Sequence, residues 1–367
     1  MAVKRILLSE AEPGMELAND IYDDTGRLIV PYGTILNKMI IERIEEYKIV
    51  IIKINEKEVD SSFKENRLKY SEIYQQPGYF EKIKETEDFK TFAKTFHTSV
   101  DEFKSLLNDV VVKNTEVDLE RMLEDVNNII ESNKTGNSML DVLNCMRGYD
   151  DLTYVHSMNV ALICNMIAGW LNYSEADTYI LTAAGLLHDI GKVKIPKEII
   201  SKPGKLTDSE YEIIKNHTMY GYEILKECPI DVRIKNAALM HHERYDGRGY
   251  PGGLRGNLID ETARIVAVAD VYDAMTADRV YREGICPFDV IGYFQNEISV
   301  YDPRYLLLFL EKTAETYVSN KVLLNNGTEA KILMINKAAL GRPVVMTGEE
   351  IIDLSKKKEL KLYLRHN

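Results

Sequence analysis

The stretch Ala184-Gly-Leu-Leu-His-Asp-Ile-Gly-Lys192 sets a histidine directly before an aspartate at the end of a predicted helix. Neighbouring side chains on a helix point about 100° apart. His188 and Asp189 can therefore reach one common point only where the helix ends, and Gly191 ends it nearby. This geometry favours a shared ligand site at the helix end.

A second pair, His241-His242, repeats the arrangement just before a loop, Glu243 to Asp260, that contains five glycines. Five of the seven histidines of the chain fall in this region on predicted helices, and an aspartate follows on another helix. Neutral imidazole and carboxylate ligands suit iron, manganese or zinc. A carboxylate can also bridge two ions about 3.5–4 Å apart, the separation used for hydrolysing phosphate esters. The clustered residues are His156, His188, Asp189, His217, His241, His242 and Asp270.

Length and composition bound the possibilities. At 367 residues, with 45% hydrophobic and 28% charged residues, the chain predicts two or three globular units. We expect no membrane span, because the apolar runs are short, and a cytoplasmic protein, because no basic-then-apolar leader opens the sequence. A net charge of −12 argues against binding of long nucleic acid. The four scattered cysteines predict reduced thiols.

The periodicity of apolar residues predicts a mainly α fold in four parts. Residues 1–60 read as a small α+β module with an accessory or regulatory role, and residues 61–136 as a helical connecting segment. Residues 137–318 are predicted to form the all-helical domain that carries the histidines. From residue 319 to 367 the period returns to two, which predicts a small β-rich module.

Apolar residues of the connecting segment recur at alternating spacings of four and three through three repeats. This heptad seam permits a coiled coil, and hence a homodimer through the helical segment. Phenylalanine at alternate seam positions is bulky for a two-stranded coil, so a long helix packed within its own chain is the alternative. The seam residues are Phe89, Ala93, Phe96, Val100, Phe103, Leu107 and Val110.

Three motifs of the helical region resemble the HD-GYP family of cyclic-dinucleotide phosphodiesterases, a branch of the HD metal-dependent phosphohydrolases. The second motif contains Gly249-Tyr250-Pro251, and the resemblance covers residues 137 to 318. The motifs are His188-Asp-Ile-Gly-Lys192, His241-His-Glu-Arg-Tyr-Asp-Gly-Arg-Gly-Tyr-Pro251 and Ala269-Asp-Val-Tyr-Asp-Ala-Met-Thr276.

The resemblance implies two transition-metal ions, iron or manganese, with zinc and nickel as alternatives. It implies hydrolysis of the 3′–5′ phosphodiesters of cyclic di-GMP to linear pGpG, and further to GMP in some members, by water that the metals activate. Asp189 would bridge the ions. The first ion would be held by His156, His188, Asp189 and Asp270, and the second by Asp189, His217, His241 and His242.

The resemblance also implies roles outside the ligand set. Asp189 and Lys192 are the expected catalytic residues, and Asp273 is expected to hold a ligand in place. Each has an ordinary alternative, such as a solvated lysine or a helix cap. The expected substrate-binding residues are Lys192, Asp246, Tyr250, Arg279 and Arg282.

Some family members bind a third metal through a glutamate four residues before the first ligand histidine. Leu152 stands there in this chain and offers no oxygen. Asp150 and Asp151 are one or two positions away and read equally as helix caps. The sequence therefore predicts two metals rather than three, with the linear dinucleotide accumulating as product.

Two rival functions remain open. One is an HD hydrolase acting on a mononucleotide or on another cyclic dinucleotide. The other is a non-catalytic cyclic di-GMP receptor that signals through a protein partner. All the positions expected to hold two metals retain competent side chains, which favours the enzyme over the receptor.

Overall fold

The structure is a computed structural model in which the chain forms two compact units, residues 1–75 and 76–367. The four-part boundaries derived from the sequence stay predictions. The structure describes residues 2–8, 11–12, 15–22, 28–30, 33–34, 36, 40–41, 44, 49, 51–56, 79–112, 115–133, 138–146, 152–202, 206–277 and 285–363.

The first unit is built on short antiparallel strands. Strand β1 (Ala2–Leu7) pairs with β4 (Ile51–Glu56), and β2 (Ile21–Tyr22) pairs with β3 (Leu28–Val30). A small core of isoleucine, leucine and valine joins the strands to Leu17, whose side chain is fully buried. No catalytic residue predicted from the sequence falls in this unit.

The second unit is mainly helical, which confirms the predicted fold class. Its helices are α1 (Tyr79–Lys84), α2 (Glu87–Val112), α3 (Leu119–Ser132), α4 (Met139–Cys145), α5 (Leu152–Trp170), α6 (Glu175–Leu187), α7 (Lys197–Ile200), α8 (Asp208–Lys215), α9 (His217–Leu225), α10 (Val232–Met240), α11 (Glu261–Thr276), α12 (Pro287–Asn296) and α13 (Pro303–Thr316). Two 3-10 turns, Ile190–Lys194 and Gly256–Leu258, connect them.

Helix ends follow local capping chemistry. Asp118 accepts a hydrogen bond from the backbone N–H of Arg121 at the start of α3. Thr207 and Glu210 form a reciprocal capping box at the start of α8, and Asp302 caps α13 ahead of a proline. Such starts can be recognised in a sequence, because each cap depends on residues within one turn of one another.

The heptad seam of α2 is buried inside its own unit. Phe96 and Phe103 are fully buried, and α2 packs against α3 and α5. The seam face is therefore covered by the chain itself, which supports the intrachain alternative over a coiled coil. A homodimer through this segment stays a prediction.

A five-stranded antiparallel sheet closes the second unit in the order β8-β7-β6-β5-β9. Strands β5 and β6 form an antiparallel hairpin within the predicted β-rich region, and the sheet's inner residues join the same apolar core as the helices. The strands are β5 (Lys321–Leu324), β6 (Glu329–Met334), β7 (Val344–Thr347), β8 (Glu350–Asp353) and β9 (Leu362–Tyr363).

Helices α5, α6, α10 and α11 form the centre of the helical unit, with α9 packed against the first 3-10 turn. Along α11, almost every residue is buried, so both its apolar and its acidic side chains face other helices. In the part of the chain that the structure describes, no helix combines the length and apolar character needed to cross a bilayer.

Candidate metal centre

The His188-Asp189 pair lies where α6 ends. His188 is the C-terminal cap of α6, and Asp189 leaves helical geometry at φ −100° and ψ 9° before the 3-10 turn begins. Both side chains are buried and lie close together, with His188 Nε2 3.3 Å from Asp189 Oδ2. The change of backbone conformation lets two neighbours face one point, as the sequence led us to expect.

Gly191 brings a second helix against this turn. A Cβ atom at Gly191 would lie 1.9 Å from the carbonyl oxygen of His217 and 2.4 Å from the backbone nitrogen of Gly221. Only a residue without a side chain permits this approach. The contact sets the first turn of α9 beside the 3-10 turn and carries His217 to Asp189.

The two carboxylate oxygens of Asp189 face different groups of histidines. Oδ1 lies 3.3 Å from His217 Nε2 and 3.7 Å from His241 Nε2. Oδ2 lies 3.3 Å from His188 Nε2 and 3.7 Å from His156 Nε2. Asp189 therefore stands between two sets of nitrogen donors, one on each oxygen.

Three histidines have their ring orientation fixed by backbone carbonyls. The Nδ1 atoms of His188, His217 and His241 lie 2.7, 2.6 and 3.0 Å from the carbonyl oxygens of Gly185, Ile214 and Ala237. A carbonyl only accepts, so each Nδ1 carries the proton and donates it. Each Nε2 is then a lone pair directed toward Asp189, which is the form that binds metals.

His156 is held by carboxylates instead. Its Nδ1 donates to Asp273 Oδ2 at 2.7 Å, and its Nε2 lies 3.1 Å from Asp270 Oδ1. The other oxygen of Asp273 accepts a hydrogen bond from Asn159 Nδ2 at 2.9 Å. Sequence reasoning missed Asn159, one turn from His156 on the same helix, because a lone asparagine carries no motif.

The electrostatics separate the two sides of the cluster. Burial lowers the pKa of His156, but hydrogen bonds from its ring to Asp270 and Asp273 outweigh burial and raise that pKa to about 9. Burial lowers the pKa of His242 to about 3 and depresses the pKa of His217 and His241. One side of the centre thus favours a positive charge, and the other presents neutral imidazoles.

Both aspartates of the cluster are held ionised. Burial alone would raise the pKa of Asp189, but Lys192 and His188 outweigh it and keep this pKa well below the ordinary value. The hydrogen bond from His156 does the same for the pKa of Asp270. Ionised carboxylates and neutral imidazoles are the protonation states that a divalent transition metal requires.

His242 joins the centre to the glycine-rich loop. Its Nδ1 lies 4.0 Å from Asp270 Oδ2, and its ring stacks on Tyr250 with centroids 4.7 Å apart. The backbone N–H of Tyr250 donates to the His242 carbonyl. One face of the tyrosine is therefore covered by a candidate ligand, so that face is closed to a guanine base.

A buried glutamate, Glu243, organises the loop. Its two carboxylate oxygens accept hydrogen bonds from the backbone N–H groups of Gly252 and Leu254, at 2.7 and 2.9 Å. A Cβ at Gly249 would lie 2.4 Å from the Glu243 Cα, so glycine is required for this turn to close. No role was predicted for Glu243 from the sequence, because the hydrogen bonds of its carboxylate reach loop amides nine and eleven residues away.

The other predicted site residues are placed as follows. Lys192 Nζ donates to Asp189 Oδ2, with its side chain 25% exposed at the edge of the centre. Asp246 accepts hydrogen bonds from the backbone and side chain of Arg248, which stabilises the loop turn. The substrate-binding roles of Lys192 and Asp246 stay predictions.

Several predicted residues are not described. Arg279, Arg282, Asp150 and Asp151 lie outside the described residues. Leu152 is the first residue of α5.

The donor set fits a pair of metal ions. Two groups of side chains offer ligand atoms that, within each group, lie within 4.8 Å of one another, and both groups contain Asp189. His188 Nε2 and Asp189 Oδ1 are buried without a hydrogen-bond partner, although burial of an unsatisfied polar atom is costly. Two lone-pair nitrogens, His217 Nε2 and His241 Nε2, also face each other at 3.2 Å. One cation in each group would satisfy these atoms. The groups are Asp189, His217, His241 and His242, and His156, His188 and Asp189.

In the second unit, buried histidines and one shared aspartate lie at helix ends. This arrangement defines a class of helical proteins that carry the donors for a pair of metal ions. A family model described as HD domain matches residues 120–305, slightly more than half of the chain. The chain belongs to the HD domain family.

Curated relatives share this part of the sequence. A cyclic di-GMP phosphodiesterase of Pseudomonas aeruginosa is 34% identical over 210 residues, which are 57% of this chain and 50% of that protein. A cyclic di-GMP phosphodiesterase of Thermotoga maritima is 43% identical over a segment that makes up 39% of this chain and 40% of that protein. The 3′3′-cGAMP-specific phosphodiesterase 2 of Vibrio cholerae is 36% identical, over 44% of this chain and 31% of its own. The matches thus span half or less of each of these relatives.

Proposed function

We propose that this chain is a metal-dependent phosphodiesterase that hydrolyses cyclic di-GMP. The observation that carries the proposal is the position of Asp189, whose two oxygens face two separate sets of histidine nitrogens. A carboxylate in this position could serve both members of a pair of metal ions, the kind of cofactor that supports phosphodiester hydrolysis. The names of the Pseudomonas and Thermotoga relatives support cyclic di-GMP as the substrate.

The proposed cofactor is a pair of transition-metal ions, iron or manganese. Histidine and carboxylate donors suit these metals, and zinc or nickel would also be accepted by such ligands. We propose two ions rather than three, because leucine at position 152 offers no oxygen donor. When bound, the ions would polarise a water molecule and neutralise charge on the phosphoryl oxygens.

The residues of the chain have distinct proposed tasks. Asp189 and the histidines hold the cofactor, while Asp273 and Asn159 fix the ring of His156. The Lys192 ammonium lies at the exposed edge of the centre, where its donors can reach a phosphoryl oxygen. In the reaction, water oxygen bonds to phosphorus as the bond from phosphorus to the 3′ oxygen breaks. The leaving oxygen becomes a 3′-hydroxyl and the product is linear pGpG.

A second candidate substrate is 3′3′-cGAMP, because a Vibrio relative named for that substrate matches at 36% identity. The same bond would break in either molecule, so the metal centre alone does not distinguish them. A receptor that binds cyclic di-GMP without hydrolysing it and signals through a protein partner is the third outcome to test.

Metal analysis combined with a product assay tests the proposal. Protein purified without oxygen and loaded with iron or manganese should hold about two ions per chain and convert cyclic di-GMP to pGpG faster than 3′3′-cGAMP is cleaved. The Asp189→Asn variant is the control for contaminating nucleases. Metal-loaded protein that binds cyclic di-GMP but leaves it intact would identify a receptor instead.

A further inference from the structure

A row of side chains leads from the metal centre to the surface along α8. His242 stacks on Tyr250, and Lys215 Nζ lies 5.8 Å from the centroid of the Tyr250 ring. The same ammonium lies 5.5 Å from the centroid of Tyr211. Both distances are within the range of cation–π contact. The Lys215 charge is thus held between two aromatic rings beside the candidate metal site.

The outer end of this row is open to solvent. Tyr211 is 48% exposed, although large aromatic side chains gain free energy from burial. Lys215 also pairs with Glu212 at 2.6 Å, and the lysine and glutamate side chains are 27% and 68% exposed. A partly exposed ion pair of this kind is weak and exchanges with water or a ligand. Lys215 is therefore available to an acceptor that approaches over Tyr211.

The row is fixed relative to the centre by the backbone. Helix α8 begins at the capping box of Thr207 and Glu210 and ends at Lys215, and the next helix begins with His217. The Tyr250 end is fixed by the hydrogen bond from its N–H to the His242 carbonyl and by the Glu243 contacts of the loop. Both sides of the row are therefore anchored to residues that belong to the metal centre.

We propose that Tyr211, Lys215 and Tyr250 form a nucleobase subsite that selects guanine over adenine, a proposal that rests on the function proposed above. Guanine presents two neighbouring acceptors, O6 and N7, to which an ammonium donates. Adenine presents an amino donor in place of O6, which faces the ammonium unfavourably. The Tyr211 ring adds a stacking surface that accepts either base. Tyr211 supplies affinity, and Lys215 supplies the choice of base.

The test is equilibrium binding of phosphorothioate analogues of cyclic di-GMP and cyclic di-AMP, which resist hydrolysis, to the metal-loaded full chain. Wild-type protein should bind the guanine analogue roughly tenfold or more tightly. Lys215→Met should bring the ratio of the two dissociation constants close to one, and Lys215→Arg should restore it. Tyr211→Leu should weaken both analogues by roughly tenfold and keep the ratio.

Lys226→Met is the matched control, because Lys226 also pairs with a glutamate three residues earlier, Glu223, and is 40% exposed. This variant should keep the wild-type ratio and affinity. A Lys215→Met protein that keeps the ratio, or a Lys215→Arg protein that loses it equally, would overturn the subsite. Wild-type protein that binds both analogues equally would overturn the subsite alone. Wild-type protein that binds neither would overturn the proposed function with it.

Discussion

Two buried aspartates of the helical unit have pKa values shifted in opposite directions. Asp189 in the metal centre and Asp125 on α3 are 3% and 4% exposed. Asp189 keeps a pKa well below the ordinary value, because Lys192 and His188 outweigh the effect of burial. Burial and the neighbouring carboxyl of Glu102 raise the pKa of Asp125 to about 7. Similar solvent exposure therefore accompanies a lowered pKa at one carboxyl and a raised pKa at the other.

The comparison shows that the sign of the neighbouring groups, not burial, separates a candidate functional carboxylate from a structural one. Each of the two carboxyl groups has one buried oxygen without a hydrogen-bond partner, so this feature does not separate them. Around Asp189 the neighbours are the Lys192 ammonium and histidine nitrogens on separate elements. Around Asp125 the largest neighbouring influence is another acid on α2. The first arrangement suits a metal ion, and the second suits a proton.

The largest expected effect follows removal of the shared carboxylate. Asp189→Ala should abolish the binding of both ions together, because each set of histidines contacts one of its two oxygens. Metal content by elemental analysis should fall from about two ions per chain to near zero, and hydrolysis should be lost. Asp208→Ala, at an exposed position on α8, is the control. A variant that retained one ion would show that the sets do not share Asp189.

A smaller loss is expected from the partner of His156. Asp273→Asn keeps the shape of the side chain but replaces a carboxylate oxygen that accepts from the ring or from Asn159. Changes to such supporting groups reduce metal affinity by about 10–100-fold. Competition with a chelator should show a fold-change of this size. Unchanged affinity would mean that Asp273 is only a packing residue.

The glycine-rich loop should respond in substrate binding rather than in metal content. The carboxylate of Glu243 now accepts hydrogen bonds from two backbone N–H groups. In Glu243→Gln, the side-chain NH2 group would face one of these two donors. Losing one charge-assisted hydrogen bond should raise KM for cyclic di-GMP by roughly tenfold. Glu223→Gln, on the exposed side of α9, is the control. An equal fall in metal content would place the effect in the centre instead.

The sequence contained much of this site, because its donors are distinctive residue types placed at helix ends. The sequence contains two adjacent pairs before glycines, His188-Asp189 and His241-His242. Caps such as Asp118 and Thr207 are also recognisable, because they depend only on near neighbours. The mainly α fold followed from the same local periodicity. Their assignment as ligands remains a prediction that the geometry supports.

The rest depended on contacts between residues far apart in the chain. Asn159 donates a hydrogen bond to Asp273, and Lys215 lies over the ring of Tyr250. Both contacts exist only because helices and a loop pack together. None of these residue types is unusual on a helix, so no local pattern marks them. The C-terminal sheet shows the same limit, since its first hairpin was predictable but the pairing of β5 with β9 is not local.

The smallest effect on function, and the sharpest test of the comparison, concerns Asp125. Its raised pKa means that folding favours the protonated carboxyl, so this contribution to stability is full below the ordinary aspartate pKa and is lost as pH rises through about 7. The slope is roughly 1 kcal/mol per pH unit at most. Asp125→Asn carries a neutral side chain of the same shape at every pH. We expect the free energy of unfolding of the variant, relative to that of wild type, to rise between the ordinary aspartate pKa and about pH 7 and to stay constant above it.

Urea denaturation with a chelator present removes the contribution of metal binding, and the titration of the empty ligand set cancels in the difference between variant and wild type. Glu102→Gln should shrink the pH dependence, since it removes the acid that helps raise the Asp125 pKa, even though Arg121 acts in the opposite direction. Asp101→Asn, an exposed change on α2, should follow the wild-type curve. Parallel pH profiles for Asp125→Asn and wild type would show that Asp125 is ionised in the folded chain. The difference in pKa between Asp125 and Asp189 would then arise from the lowered pKa of Asp189 alone.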